Sequence, residues 1–246
     1  MLGALIRGGL VAVGLVLAGC SDADIVSGSE EAGSTNRLVQ WGAANPTILG
    51  TMTDAGSILD FSGTGLAGGV GEATLLYGDA WVTDDTGAVS ELTADGLIAF
   101  SGIMSGYDPS IEATIDGPVE CGSALNDVLD DIIGSDDSER AATFVLRGVF
   151  DEIQYVVDMG VSEDAEVLTV SDLSATMVGV KAGLYVTGDS YTLGEELIGL
   201  GEYPLHQHFI TDDRSISGHV RSCTLVSGDV EIALANTFEI QLDFSN

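Results

Sequence analysis

The residues best suited to chemistry in this chain gather in one stretch, HQHFITDDRSISGHV from His206 to Val220, which holds all three of its histidines, His206, His208 and His219. His206 and His208 are two residues apart, so on a strand both side chains leave the same face. Phe209, Ile210, Ile216 and Val220 favour strands on either side of TDDRS, and a turn at Asp213-Arg214 sets His208 opposite His219. Opposed residues hold their Cβ atoms about 4.5 to 5.5 Å apart. That spacing lets both imidazoles converge on one ion, with metal–nitrogen distances near 2.0 to 2.1 Å for zinc. His206 supplies a third ligand from the same face. Three histidines leave a coordination position open, and neutral imidazoles leave the ion its full charge. The ion is then suited to hold an oxygen on which negative charge develops. The competing reading has the three rings satisfied by carbonyls and carboxylates or decorating a polar surface. Three convergent histidines with no others in the chain favour metal, and zinc is the expected cofactor.

The elements that must position these residues are mostly strands. ATLLYGDAWVT from Ala73, GLIAFSGI from Gly96, ATFVLRGVF from Ala142, IQYVV from Ile153, ATMVGVKAGLYVT from Ala175 and the last fifty residues are rich in Val, Ile, Thr and aromatics, with Gly or Asp between them. CTLVSGDVEIALA carries a Ser-Gly-Asp interruption that predicts a hairpin. One helix is expected over SALNDVLDDIIG, with Ser123 as its N-cap, Leu125, Val128, Leu129, Ile132 and Ile133 at helical spacing, and Gly134 ending it. A short second helix is expected around 192–200. The class is α+β, rich in β, with a division near residue 160 into 37–160 and 161–246.

The opening MLGALIRGGLVAVGLVLAGC joins a positive charge at Arg7 to an apolar run from Leu10 to Ala18 and small residues before Cys20. This is the pattern of an export signal, too short for a good membrane span. Leu17-Ala18-Gly19-Cys20 resembles the lipobox of bacterial lipoproteins, which implies cleavage after residue 19 and a lipid anchor on Cys20. Ser21 resembles signals for outer-membrane sorting, where there is an outer membrane. Residues 20–36 read as an acidic, flexible tether. In an exported protein Cys121 and Cys223 either pair as a disulfide or sit as small buried hydrophobes.

Seven lysines and arginines against 39 aspartates and glutamates give a formal net charge of −32, which makes nucleic acid and anionic lipid surfaces poor partners. With Lys181 as its one lysine, the chain suits saline surroundings, where screening shortens to about 3 Å at molar ionic strength. The same acidity also serves plain solubility. At 246 residues and 45% hydrophobic the chain is long enough to bury a sizeable core.

The pattern His206-x-His208-Phe209-Ile210-x-Asp212-Asp213-Arg214, followed by Gly218-His219-Val220, resembles the metal-binding segment of bacterial acetolactate decarboxylases. Val178-Gly179, the ending VEIALANTFEIQL and, more loosely, FSGTGLAGGVGEATLLYGDAW extend the resemblance from Leu38 to Leu242. It implies mixed and antiparallel sheets in two tandem subdomains, the second holding the metal. It also implies a zinc on the three histidines that binds the ketone and hydroxyl oxygens of a 2-hydroxy-3-oxo acid. Carbon dioxide leaves, its electron pair passes into the adjacent carbonyl, and protonation gives acetoin. The family's glutamate after a glycine-rich loop matches Glu72 in Gly71-Glu72-Ala73, for proton transfer or to hold a zinc-bound water. Read without the family, Glu72 is an ordinary exposed strand glutamate.

Two family features have no counterpart. An arginine following Gly-x-Phe is replaced, after Gly148-Val149-Phe150, by Tyr155 or Val156, and a second glutamate in a C-terminal extension beyond QLDF is not found before Asn246. Arg147, Arg214 and Arg221 are candidates to supply the cation, although Arg214 reads better as a turn residue paired with Asp212 or Asp213. Gly63-Thr64-Gly65-Leu66-Ala67-Gly68 fits a dinucleotide fingerprint in spacing, but strand formers follow where a helix must begin, so nucleotide binding is rejected.

The leading expectation is zinc-dependent decarboxylation of 2-acetolactate or a related acid. Against it stand a non-catalytic metal-binding or surface-interaction lipoprotein of the same fold, and a zinc hydrolase with Glu72 as base. The expected partners are a 2-hydroxy-3-oxo acid, the bilayer through the anchor alone, and a second copy of the chain in a homodimer. Substrate-binding residues stay unassigned.

Overall fold

The structure, a computed structural model, describes residues 23–25, 36–43, 50–51, 62–67, 71–84, 86–91, 97–105, 107–138, 140–157, 166–181 and 205–243. The leader 1–19, Cys20, most of the tether and the expected helix at 192–200 lie outside the described residues. In chain order these form β1 (Ala23–Ile25), β2 (Arg37–Ala43), β3 (Gly50–Thr51), β4 (Ser62–Ala67), β5 (Gly71–Leu76), β6 (Asp79–Asp84), β7 (Val89–Glu91), β8 (Leu97–Ser105), β9 (Ile111–Glu120), α1 (Ser123–Ile133), β10 (Ala142–Val156), β11 (Leu168–Lys181), β12 (Leu205–Thr211), β13 (Ser217–Leu234) and β14 (Thr237–Asp243). The class is the expected strand-rich α+β.

Two sheets carry the described strands. The first runs β1-β14-β2-β8-β4-β5-β6-β7, with β3 also on β8; β14 lies parallel to β2 and the other pairings are antiparallel. Ala23–Ile25, expected within a flexible tether, is an edge strand on β14. In the second sheet β10 pairs with β11 along one edge and β13 along the other, and β12 joins β11 to the first residues of β13. These four strands thereby close on themselves, and β9 continues along β13. Strand pairing crosses the division expected near residue 160: β9 and β10 pair with strands that follow it, and β14 returns to the first sheet.

Local chemistry explains where the strands differ from expectation. ATLLYGDAWVT is not one strand but the hairpin β5–β6, because Tyr77 and Gly78 take φ of 51° and 87°, the paired positive values of a type I′ turn. CTLVSGDVEIALA shows the reverse. No hairpin forms at Ser227-Gly228-Asp229; β13 runs through it, paired to both β10 and β9. Gly228 serves close approach there, since a Cβ on it would stand 2.7 Å from the Arg147 carbonyl oxygen and 3.0 Å from Gly148 Cα. The helix begins at Ser123 without a side-chain cap, Gly122 preceding it at φ 96°, so Ser123 is its first residue and not its N-cap. Gly134 closes it as expected, its N–H donating to the Asp130 carbonyl at 2.8 Å.

One face of the second sheet forms the main core, where Phe144, Leu146, Phe150, Met177, Phe209 and Leu225 pack with Leu125 and Leu129 of α1. The opposite face carries Val145, Val178, Val180 and Ala233, which pack with Leu38 and Tyr107. Directly paired residues share a face. His206 pairs with Val180 and His208 with Val178, so the histidines lie on this second face, turned toward β4 and β5 of the first sheet.

Candidate metal centre

The turn between β12 and β13 is built to hold one register. The Asp213 carboxylate accepts bonds from the Ser215 N–H at 3.0 Å, the Ser215 hydroxyl at 2.6 Å and the Thr211 hydroxyl at 2.7 Å. These bonds, Ser215's foremost, hold its carboxyl down to about 2. Arg214 takes φ 58° and lays its guanidinium 4.3 Å from the centroid of the Trp81 ring in β6, in place of the expected pairing with Asp212 or Asp213. The resulting register pairs His208 with His219, Phe209 with Gly218 and Ile210 with Ser217. Gly218 is required where it stands: a Cβ on it would fall 2.6 Å from the Tyr155 ring and 2.8 Å from the Val156 carbonyl oxygen.

The three rings meet on one face. Their centroids lie 5.1 Å apart for His206 and His208, 5.3 Å for His208 and His219, and 4.6 Å for His206 and His219. Nε2 of His206 stands 3.1 Å from Nε2 of His208, and one nitrogen from each ring lies within 4.8 Å of the others. His208 is wholly buried, and burial above all, then the neighbouring histidines, keeps it neutral well below the usual imidazole range, with the Ala73 backbone opposing. His219 is held down in the same direction, first by burial, then by His206 and by the charge of Arg221.

Across from them, β5 presents Glu72 and Thr74 on its inner face. Glu72, 8% exposed, brings Oε2 to 3.4 Å from Nε2 of His208. With the imidazole neutral this contact is no ion pair, but it adds a carboxylate oxygen to the same cluster of lone pairs. Thr74 anchors the strand: its hydroxyl lies 2.9 Å from the hydroxyl of Ser217 and 3.5 Å from the Phe209 carbonyl. The family pattern points to Glu72, whereas nothing in the sequence signals the Thr74–Ser217 contact that seats it.

A zinc ion fits this donor set. Tetrahedral zinc with ligands at about 2.0 to 2.1 Å separates its ligand atoms by about 3.3 to 3.4 Å. The 3.1 Å between the His206 and His208 nitrogens is close to that edge, and the 3.4 Å from His208 to the Glu72 oxygen sets a carboxylate beside the ligand group. Neutral imidazoles are also the protonation state that a metal requires.

Residues 61–246 match the family model for alpha-acetolactate decarboxylase. The chain belongs to the alpha-acetolactate decarboxylase family. Its fold is shared by crystal structures of alpha-acetolactate decarboxylase from Bacillus subtilis strain 168, at 16% identity and TM-score 0.66 over 85% of this chain and 90% of that one, and of acetolactate decarboxylase from Bacillus subtilis subspecies spizizenii, at 16% and 0.65 over the same shares. A Staphylococcus aureus protein of unknown function, described as similar to alpha-acetolactate decarboxylase, matches at 16% and 0.64, over 84% of this chain and 89% of that one. No curated protein matches the chain.

Within this family frame, Val156 pairs directly with His219 and is 2% exposed, so an apolar wall flanks the histidines there. Tyr155 faces the other way, its ring edge-on to Phe209 in the core. Arg147 lies elsewhere, bonded to Tyr77 and 3.6 Å from Glu231. Cys121 and Cys223 form a disulfide, with Cα atoms 5.0 Å apart, that ties the start of α1 to β13. Ser62–Ala67 is a strand leading to another strand, in keeping with the rejection of nucleotide binding.

Proposed function

We propose that this chain carries out zinc-dependent decarboxylation of 2-acetolactate, or a related 2-hydroxy-3-oxo acid, to acetoin and carbon dioxide. The observation that carries this reading is the convergence of His206, His208 and His219 with Glu72 between the two sheets. Zinc bound there would supply a positive centre that draws electron density from the ketone and hydroxyl oxygens of the acid. The histidines serve by remaining neutral, so that they offer lone pairs and leave that positive charge undiminished. Burial of His208 and Glu72 excludes water and strengthens each electrostatic contact made there. Breaking the bond to carbon dioxide leaves an electron pair that the adjacent carbonyl accepts, and one proton must reach carbon to give acetoin. Glu72 holds or moves that proton at Oε2.

Removal of metal by a chelator is expected to abolish acetoin formation, and zinc to restore it. His208→Ala is expected to lose both metal and turnover. Fully zinc-loaded protein that converts no 2-hydroxy-3-oxo acid would overturn the proposal. One observation favours a second reading, a metal-binding module without turnover: Val156 offers neither charge nor hydrogen bond beside His219. The same assay decides between the two.

Export and lipid anchoring at Cys20 belong to the same proposal. The opening segment supports them, as does the Cys121–Cys223 disulfide, which suits an oxidising compartment. No helix among the described residues is long and apolar enough to cross a membrane. Cys20→Ala is expected to move the protein from the membrane fraction to the soluble one, and unchanged fractionation would count against the anchor.

A further inference from the structure

The substrate proposed above is an anion, and with zinc taken up by its ketone and hydroxyl oxygens the side chains around the centre offer its carboxylate little. Imidazoles that ligate a metal are neutral, Glu72 is one more carboxyl group, Val156 is apolar, and the chain carries a formal −32. A cation beside the histidines is therefore the feature to look for. Among the described cationic side chains, four are committed elsewhere. Arg140 binds Asp137 at 3.0 Å and the Ala235 carbonyl at 2.9 Å, and Arg147 binds Tyr77 and Glu231. Lys181 is buried against Asp130 at 2.8 Å and the Ser138 carbonyl at 2.7 Å, and Arg214 stacks on Trp81. Arg221 is exposed and makes no ion pair or hydrogen bond with any described residue.

The backbone gives Arg221 a distinctive place. Along β13 the pairing with β10 runs His219 to Val156, Val220 to Tyr155, then Ser222 to Gln154, which leaves Arg221 as the extra residue of a β-bulge. Bulges re-aim a side chain and are over-represented beside active sites. Val220 and Cys223 on either side keep to the core cluster, while Arg221 stays out of it, two residues past His219. With Val220 committed to the core face, the alternation of the strand sends Arg221 to the other side, the one His219 occupies two residues earlier.

We propose that Arg221 is a substrate-positioning residue whose guanidinium receives the carboxylate of the 2-hydroxy-3-oxo acid at the rim of the histidine centre. The inference rests on the decarboxylase reading for its substrate class. A planar guanidinium takes a carboxylate through two parallel N–H···O bonds, which fixes orientation as well as charge. An exposed cation is screened by water and holds the departing carboxylate loosely. That suits a group that must leave as carbon dioxide, since strong ground-state binding would not raise the rate. Arg221 therefore acts on binding more than on the chemical step.

The test compares zinc-loaded wild type with Arg221→Gln and Arg221→Lys. Titration with 2-hydroxyisobutyrate, which carries the carboxylate, is set against titration with acetoin, which does not, with zinc content and acetolactate turnover measured alongside. The expected result is a loss of roughly 2- to 5-fold in affinity for 2-hydroxyisobutyrate in Arg221→Gln, the range of a lost solvent-screened ion pair. Acetoin affinity and zinc content should stay unchanged, Arg221→Lys should recover part of the loss, and KM for acetolactate should rise more than kcat falls. Equal 2-hydroxyisobutyrate affinity in wild type and Arg221→Gln, or an equal loss for acetoin, would overturn the role of Arg221. If zinc-loaded wild type binds 2-hydroxyisobutyrate through Arg221 yet turns over no acid, the Arg221 assignment stands and the decarboxylase reading falls. Wild type that binds neither compound would overturn both.

Discussion

The hairpin of β12 and β13 and the strand β5 both feed the candidate metal centre, and they do so by different physics. The hairpin delivers three histidines through local pairing: a turn held by Asp213, Thr211 and Ser215 fixes a register, and the register places His208 beside His219. β5 delivers one carboxylate from more than a hundred residues away, through the docking of one sheet on another. Thr74 and Ser217 are the buried bond between them. Convergence of the histidines is thus set by sequence-local geometry, whereas placement of Glu72 depends on how two sheets settle together. Metal binding and turnover should be separable by mutation.

The largest separation is expected from Glu72→Gln. It should keep zinc, because the three imidazoles remain, and lose roughly 10²- to 10⁴-fold in kcat, the usual contribution of a positioned acid or base. Metal analysis beside acetoin assay checks this, and a variant that loses zinc as readily as turnover would show Glu72 to be chiefly a ligand. Gly218→Ala attacks the hairpin instead. Its Cβ would meet the Tyr155 ring and the Val156 carbonyl, so β13 must shift and take His219 with it. Zinc affinity and activity should fall together, with a destabilisation of about 1 to 3 kcal/mol read by denaturant unfolding.

Thr74→Val tests the dock between sheets. It leaves the buried Ser217 hydroxyl without that partner, at a cost of about 1 to 3 kcal/mol. Turnover should fall more than zinc affinity does, because Glu72 moves and the hairpin does not. The smallest effect concerns the turn and pH. Asp213 has a folded-state carboxyl lowered to about 2 from an ordinary 3.8, so its contribution to stability is present above that ordinary value and disappears as pH falls through about 2. Asp213→Asn should flatten the dependence of Tm on pH across that window and leave zinc affinity at neutral pH nearly unchanged.

Much of the centre was legible from residue spacing. The His-x-His pair, the turn at Asp213-Arg214 and the opposition of His208 and His219 follow from a period of two and from hairpin pairing, both of which are local. The helix was legible for a similar reason, since Leu125 and Leu129 repeat at helical spacing. Errors arose where one residue type serves two purposes. Gly228 looks like a turn glycine but permits close packing of β10 on β13, while Tyr77 looks like a strand residue but takes the positive φ of a turn. Strand pairing also runs across the position of the division expected near residue 160, because β9 and β10 pair with β13.

The sequence by itself determined which side chains could hold a metal, which strand face they share and which family pattern they follow, because these depend on neighbours a few residues apart. Only the tertiary structure decided that Glu72 reaches His208, that Thr74 seats it on Ser217 and that Val156 flanks His219. Such contacts join segments far apart in the chain. Their geometry comes from how one sheet closes on itself and docks on the other, and no spacing within a single segment encodes it.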